Sequence, residues 1–96
     1  MTEIKLLPLV GNFAENKDLA REIRLKKIIP ALEQKQKIVL DFVGVEAATQ
    51  SFIHALISDL IRKYGAVVLD QVYFKNCNET IKKIINIVVE YTQESA

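Results

Sequence analysis

The run Lys37-Ile38-Val39-Leu40-Asp41-Phe42-Val43 is the strongest constraint on what this chain can fold into. It is short, apolar without alternation, and bounded by charge and by Gly44, which is the pattern of a strand covered on both faces in an α/β sheet. We read it as the central strand. With 96 residues in total, the chain fits one domain near the lower end of the usual size range, residues 1–96 sharing a single core. Half of the residues are hydrophobic and about a quarter are charged, a balance that supports a packed core and argues against disorder.

The segments around the central strand alternate. Ile4 to Val10 is mostly apolar and strand-like, and Gly11, Asn12 and Asn16 then supply turn chemistry. From Asp18, a candidate N-cap, the spacing of Leu25, Ile28, Ile29 and Leu32 predicts an amphipathic helix that Pro30 should kink or divide. After the central strand, Ser51 to Tyr64 is strongly helical. Phe52, Ile53, Leu56, Ile57, Leu60, Ile61 and Tyr64 form a wide apolar face, with Ser51, His54, Ser58 and Arg62 near one polar stripe and Gly65 just past the end. Val67-Val68-Leu69 and Val72-Tyr73-Phe74 read as one strand region, bulged or split at Asp70 and Gln71. Asn78 can cap a last helix carrying Ile81, Ile84, Ile85 and Val88. The expected architecture is α/β, a mixed sheet of about four strands packed against about three helices.

Thirteen basic residues against twelve acidic ones leave a net charge of +1, so no global field draws in nucleic acid or an anionic membrane. Arg21, Arg24, Lys26 and Lys27 make the first helix locally basic. Without interleaved aromatics, and with Glu22 and Glu33 on the same segment, they read as a solvated face rather than a nucleic-acid surface. Charge interrupts every apolar stretch well before the ~20 residues a membrane helix needs. The lone Cys77 makes neither an intramolecular disulfide nor a multi-cysteine metal site, and the expected compartment is the cytoplasm.

Chemistry-bearing residues are sparse. His54, the only histidine, follows Ser51 at a spacing that brings the two within reach on one helix face. A serine nucleophile also needs an orienting acid and an oxyanion hole, and no Gly-x-Ser-x-Gly elbow exists. Asp41 and Asp70 lie at strand ends or breaks, but no second carboxylate is spaced to build a cation cage with either. Cys77 has only Lys75 as a nearby cation and reads as an ordinary thiol. No enzyme activity and no cofactor are expected. Ser51 itself sits in the first turn of a helix, near unpaired amides and the positive end of the dipole. Either Thr49 or Ser51 caps that helix, or Ser51 is placed to carry a phosphate.

The order Ile38-Val39-Leu40-Asp41-Phe42-Val43-Gly44-Val45, followed by Thr49-Gln50-Ser51-Phe52 opening an apolar helix, resembles the domain shared by sulfate transporters and anti-sigma factor antagonists, called STAS. It is most similar to the STAS-like group of unknown function whose members carry an Asp-Phe-x-Gly-Val stretch followed by a Ser-Phe pair. The resemblance runs from about Lys37 to Tyr91 and implies a small layered STAS-like domain. In the antagonists the corresponding turn reads Asp-Ser-Ser-Gly, and an ATP-dependent anti-sigma kinase phosphorylates the second serine to release the partner. On this chain Thr49 takes the aspartate position, Gln50 the first serine, Ser51 the phosphoacceptor and Phe52 the glycine. Of the four, this chain keeps only the phosphoacceptor.

The resemblance implies a regulatory binding module whose partner is a histidine-kinase-like ATPase or anti-sigma type protein. The partner would dock on the Gly44 to Ser51 loop and the polar stripe of the following helix, with Asp41, Gly44, Thr49, Gln50, Ser51, His54 and Ser58 as the candidate contacts. The alternative is a structural homodimer built on the apolar surplus of the last helix, including Ile87 and Val89.

Overall fold

The computed structural model describes residues 1–95 and shows an α/β layered fold. Strands β1 (Thr2–Lys5), β3 (Ile38–Asp41) and β5 (Val72–Lys75) form a sheet in the order β1-β3-β5, and β2 (Phe13–Ala14) pairs with β4 (Ala47–Ala48) in a second, two-stranded sheet. Every pair is parallel, which corrects the expected mixed sheet of four strands. The physical reason is the connections: between β1 and β3, and again between β3 and β5, the chain carries a helix, and such a crossover returns it in the same direction.

β3 is the central strand, buried at all four positions. Ile4, Ile38, Leu40 and Val72 fill the core side of the sheet together with half-buried Phe74. On the other side Glu3, Lys5, Tyr73 and Lys75 are exposed. There the Glu3 carboxylate and the Lys75 ammonium, from the two flanking strands, meet 3.6 Å apart across β3.

The apolar segment Ile4 to Val10 is not one strand. It breaks at Leu6, which is fully buried, into β1 and a single-turn helix α1 (Leu7–Val10) with Pro8 in its first turn. A proline there lacks only an amide that would have had no helical partner, whereas in a strand it would cost a ladder bond.

Helix α2 (Lys17–Ile23) passes through a π-helical turn, Arg24–Ile28, into α3 (Ile29–Glu33). Asn16, not Asp18, caps α2, its side-chain oxygen accepting from the amides of Asp18 at 2.9 Å and Leu19 at 3.2 Å. The π turn is how the helix accommodates Pro30. The Ile29 amide donates to the Arg24 carbonyl five residues back, and the widened turn carries the chain past the proline ring without breaking the rod.

Helix α4 (Gln50–Tyr64) packs against α2 on one side and α5 (Glu79–Ser95) on another. Phe52, Ile53, Leu56, Ile57, Leu60 and Ile61 are buried along it. Each such side chain contributes about 1.5–3 kcal/mol when fully removed from water. Gly65, at φ +82°, ends α4.

The strand expected at Val67-Val68-Leu69 is instead a 3-10 helix, Ala66–Asp70. Its amides reach back three residues, Val68 to Gly65 and Gln71 to Val68. Val68 is buried and Leu69 packs half-buried against the core, while Val67 is 65% exposed, so tertiary position overrides the β propensity of the valines. On α5, Asn78 caps as expected, accepting from Ile81 N at 2.9 Å. Ile81, Ile85 and Val88 point into the core.

Candidate functional site

The loop from β3 to α4 is held from three directions. Asn12 O accepts from the amides of Glu46 (2.8 Å) and Ala47 (3.3 Å), Ala14 O accepts from Thr49 N (2.9 Å), and Asn78 Nδ2 donates to Glu46 O (2.7 Å). The second small sheet exists to seat this loop. Gly44 turns the chain at φ +80°, and a Cβ there would lie 2.6 Å from Leu7 Cδ2. The left-handed conformation favours glycine at this position, and any side chain here would also have to displace the Leu7 methyl.

Asp41 braces the base of the loop. Its Oδ1 accepts from Asn76 Nδ2 at 2.9 Å and from Val43 N at 3.0 Å. It is 4% exposed. The Asn76 and Val43 hydrogen bonds, outweighing the desolvation that opposes them, hold its carboxyl below the usual value, with help from the charges of Lys75 and Lys5. Asp41 therefore ties β3 to the start of the loop and to Asn76 after β5.

The α4 N-terminus settles which hydroxyl caps. Thr49 Oγ1 accepts from Phe52 N at 3.1 Å in extended backbone geometry, the standard N-cap arrangement. Ser51 is left in the first turn, exposed, and among the described residues no group lies within hydrogen-bond reach of its hydroxyl. His54 does not turn to Ser51. Its Nδ1 is 3.3 Å from Ser58 Oγ, one turn onward, and Ser58 is only 1% exposed. The stripe expected to face solvent thus divides: Ser51 and Arg62 are exposed at its ends, His54 is half-buried, and Ser58 is inside.

Beside this stripe runs a groove between α2 and α4. One hollow of about 540 Å³ is lined by Lys17, Gln50, Ser51, His54 and Ala55. The adjoining one, about 350 Å³, brings in Arg21, Arg24, Ser58 and Asp59. Arg24 is the groove's floor. Its side chain is 10% exposed, donates to the Ala55 carbonyl inside α4 and lies 3.1 Å from Asp59 Oδ2. The π turn begins at this residue. Reading Arg24 as part of a solvated basic face is corrected here, since it bonds one helix to the other.

The sequence reading missed Lys17, Arg21 and Arg24 as lining for the Ser51 site. Their spacing of four and three places them on one face of α2, a signal present in the sequence that only the pairing of α2 with α4 makes specific.

Among the described residues, no three or more His, Cys, Asp or Glu side chains are placed to hold a metal ion, and no helix is long and apolar enough to cross a membrane. Cys77 is half-buried, and that burial pushes its thiol above the ordinary value, away from the thiolate form that reacts.

Parallel strands, a glycine turn after β3 and a helix opening beside it define a STAS-like α/β domain. The chain belongs to the family described as STAS-like domain of unknown function (DUF4325), whose model matches residues 20–82. No curated protein and no solved structure matches it.

Proposed function

We propose that the protein is a non-enzymatic regulatory module that binds a protein partner through the Gly44 to Ser51 loop and the α4 N-terminus, and that Ser51 is its switch. One observation carries this reading. Thr49 caps α4, so Ser51 stands in the first turn with an exposed hydroxyl that the fold does not use. A phosphate on it would add nearly two negative charges at the positive end of a helix dipole, in a hollow shared with Lys17. That change would alter any surface docked there without unfolding the domain.

The STAS resemblance supplies the partner class, a histidine-kinase-like ATPase or an anti-sigma type protein, and with it a cytoplasmic setting. Gly44, Thr49, Gln50, Ser51 and His54 form the contact region, with Asp41 and Ser58 supporting it from below. The test is the partner's affinity for the unmodified protein, Ser51→Ala and Ser51→Asp. Alanine is expected to bind as the unmodified protein does and aspartate to weaken binding about tenfold or more, a difference of at least ~1.4 kcal/mol. Equal affinities for all three would remove Ser51 from the mechanism.

A second reading is a homodimer through α5, where Ile87 and Tyr91 are 50% and 59% exposed one turn apart and half-buried Val89 packs against the core instead. Sedimentation at high concentration tests it. A concentration-dependent dimer lost on Ile87→Glu would support it, and a monomer throughout would end it.

A further inference from the structure

The groove between α2 and α4 extends past the Ser51 site. Its middle hollow shares Arg24 and Asp59 with a third one of about 390 Å³, lined by Leu25, Ile29, Arg62 and Lys63. The three lie in succession along α4 from Ser51 to Lys63, roughly 18 Å at 1.5 Å per residue, as one open channel crossed by the Arg24–Asp59 pair. Five cations line it, Lys17, Arg21, Arg24, Arg62 and Lys63, against two carboxylates, Asp18 and Asp59. The channel therefore carries three positive charges in excess in a chain whose net charge is +1.

Asp59 is already engaged, 3.1 Å from Arg24 and 3.5 Å from Arg62. Lys17 and Arg21, one turn apart on α2 and both exposed, have no carboxylate within ion-pair distance among the described residues. At the far end Leu25 is 48% exposed beside half-buried Ile29.

We infer that this channel seats an acidic segment of a partner protein, with carboxylates one helical turn apart set against Lys17 and Arg21 and an apolar side chain against Leu25 and Ile29. The inference rests on the protein-binding reading above and specifies the partner's docking element. Charge complementarity of this kind selects the partner and steers its approach. A nucleic acid fits less well, because no Phe, Tyr or Trp lines the channel to stack successive bases and its one imidazole, His54, is half-buried and turned to Ser58. A negative charge at Ser51 would stand at the channel mouth beside Lys17 and compete for it with the incoming carboxylate, which links docking to the switch.

The probe is a short capped amphipathic peptide with glutamates one turn apart and a leucine at its far end, titrated into the isotope-labelled 96-residue chain and followed by amide shifts. Shifts are expected along Lys17 to Ile29 and Ser51 to Lys63. The charge reversal K17E/R21E should weaken binding about tenfold or more, and K17Q/R21Q by less. Reversal of Lys82 and Lys83 on α5 should leave binding unchanged.

Both α2 positions are exposed, and an unchanged amide spectrum elsewhere verifies the fold of each variant. Shifts spread over α5, or K17E/R21E binding as tightly as the unmodified protein, would overturn the inference. So would a single-stranded oligonucleotide of equal charge that binds the channel more tightly than the peptide. The probe requires neither the natural partner nor a modified Ser51, so its failure is distinguishable from failure of the switch.

Discussion

The two sides of α4 are built for different work. One is dry: Phe52, Ile53, Leu56, Ile57, Leu60 and Ile61 are each at most 3% exposed. The other, facing α2, holds Ser51, His54, Ser58 and Asp59, an arginine that bonds a helix carbonyl, and the hollows between them. A seam meant only for stability would be packed to interior density, since voids forfeit dispersion contacts. Helix α2 buries Ala20 and Ile23 on its inner face, but its seam with α4 opens to solvent at the rim, beside the one first-turn hydroxyl that the fold leaves unused. The dry side makes the helix stable enough for the other side to remain open.

Mutations on the two sides should separate these roles. Leu56→Ala is expected to lower the unfolding free energy by about 2–5 kcal/mol through a cavity in the dry side, measured by denaturant melts. Arg24→Met, which keeps the stem but loses the cation, should cost about 1–3 kcal/mol by stripping a partner from the groove floor. Arg24→Lys should recover part of it, because one nitrogen, Nη1, meets both Ala55 O and Asp59, and an ammonium carries three donors on a single nitrogen. A cost for Arg24→Met as large as that for Leu56→Ala would mean that the seam is a second core rather than a site.

Within the first turn the contrast sharpens to neighbouring hydroxyls. Thr49→Ala should cost about 1 kcal/mol as a lost cap, while Ser51→Ala should stay within about 0.5 kcal/mol. The reverse ranking would make Ser51 the structural residue.

The smallest expected effect is on pH. Asp41 has a folded pKa below its ordinary 3.8, so the stability it contributes is fully present above the unfolded value and is lost as pH falls through the folded one. Asp41→Asn should flatten that part of the acid limb of a stability–pH curve, and an unchanged acid limb would show the brace to be incidental.

Much of this was legible in the chain. The unbroken apolar run at Ile38–Phe42, the apolar face of α4 and the Asn78 cap were written in local pattern, and each is where the pattern puts it. What was not legible depended on partners distant in sequence. Two-residue strands such as Phe13–Ala14 and Ala47–Ala48 are too short to leave a period, and they exist only because each supplies the other's ladder. Val67 and Val68 carry β propensity, but the descent from α4 to β5 imposes a 3-10 turn.

The site followed the same division. Ser51 stood out by its place in the first turn, but the choice between Thr49 and Ser51 as cap needed geometry. Arg24 looked like surface because nothing local marks an arginine whose acceptors lie 31 and 35 positions away at Ala55 and Asp59.

The most direct measurement of the central claim is to recover tagged protein from its native cell as the unmodified chain, Ser51→Ala and Ser51→Asp, and to quantify co-purifying proteins and phosphate at Ser51 by mass spectrometry. The predicted result is one stoichiometric ATPase-type partner retained by the unmodified chain and Ser51→Ala, lost from Ser51→Asp, with phosphate found on Ser51 in the fraction of unmodified chain that lacks the partner. The same proteins recovered with all three chains, and no phosphate at Ser51, would contradict it.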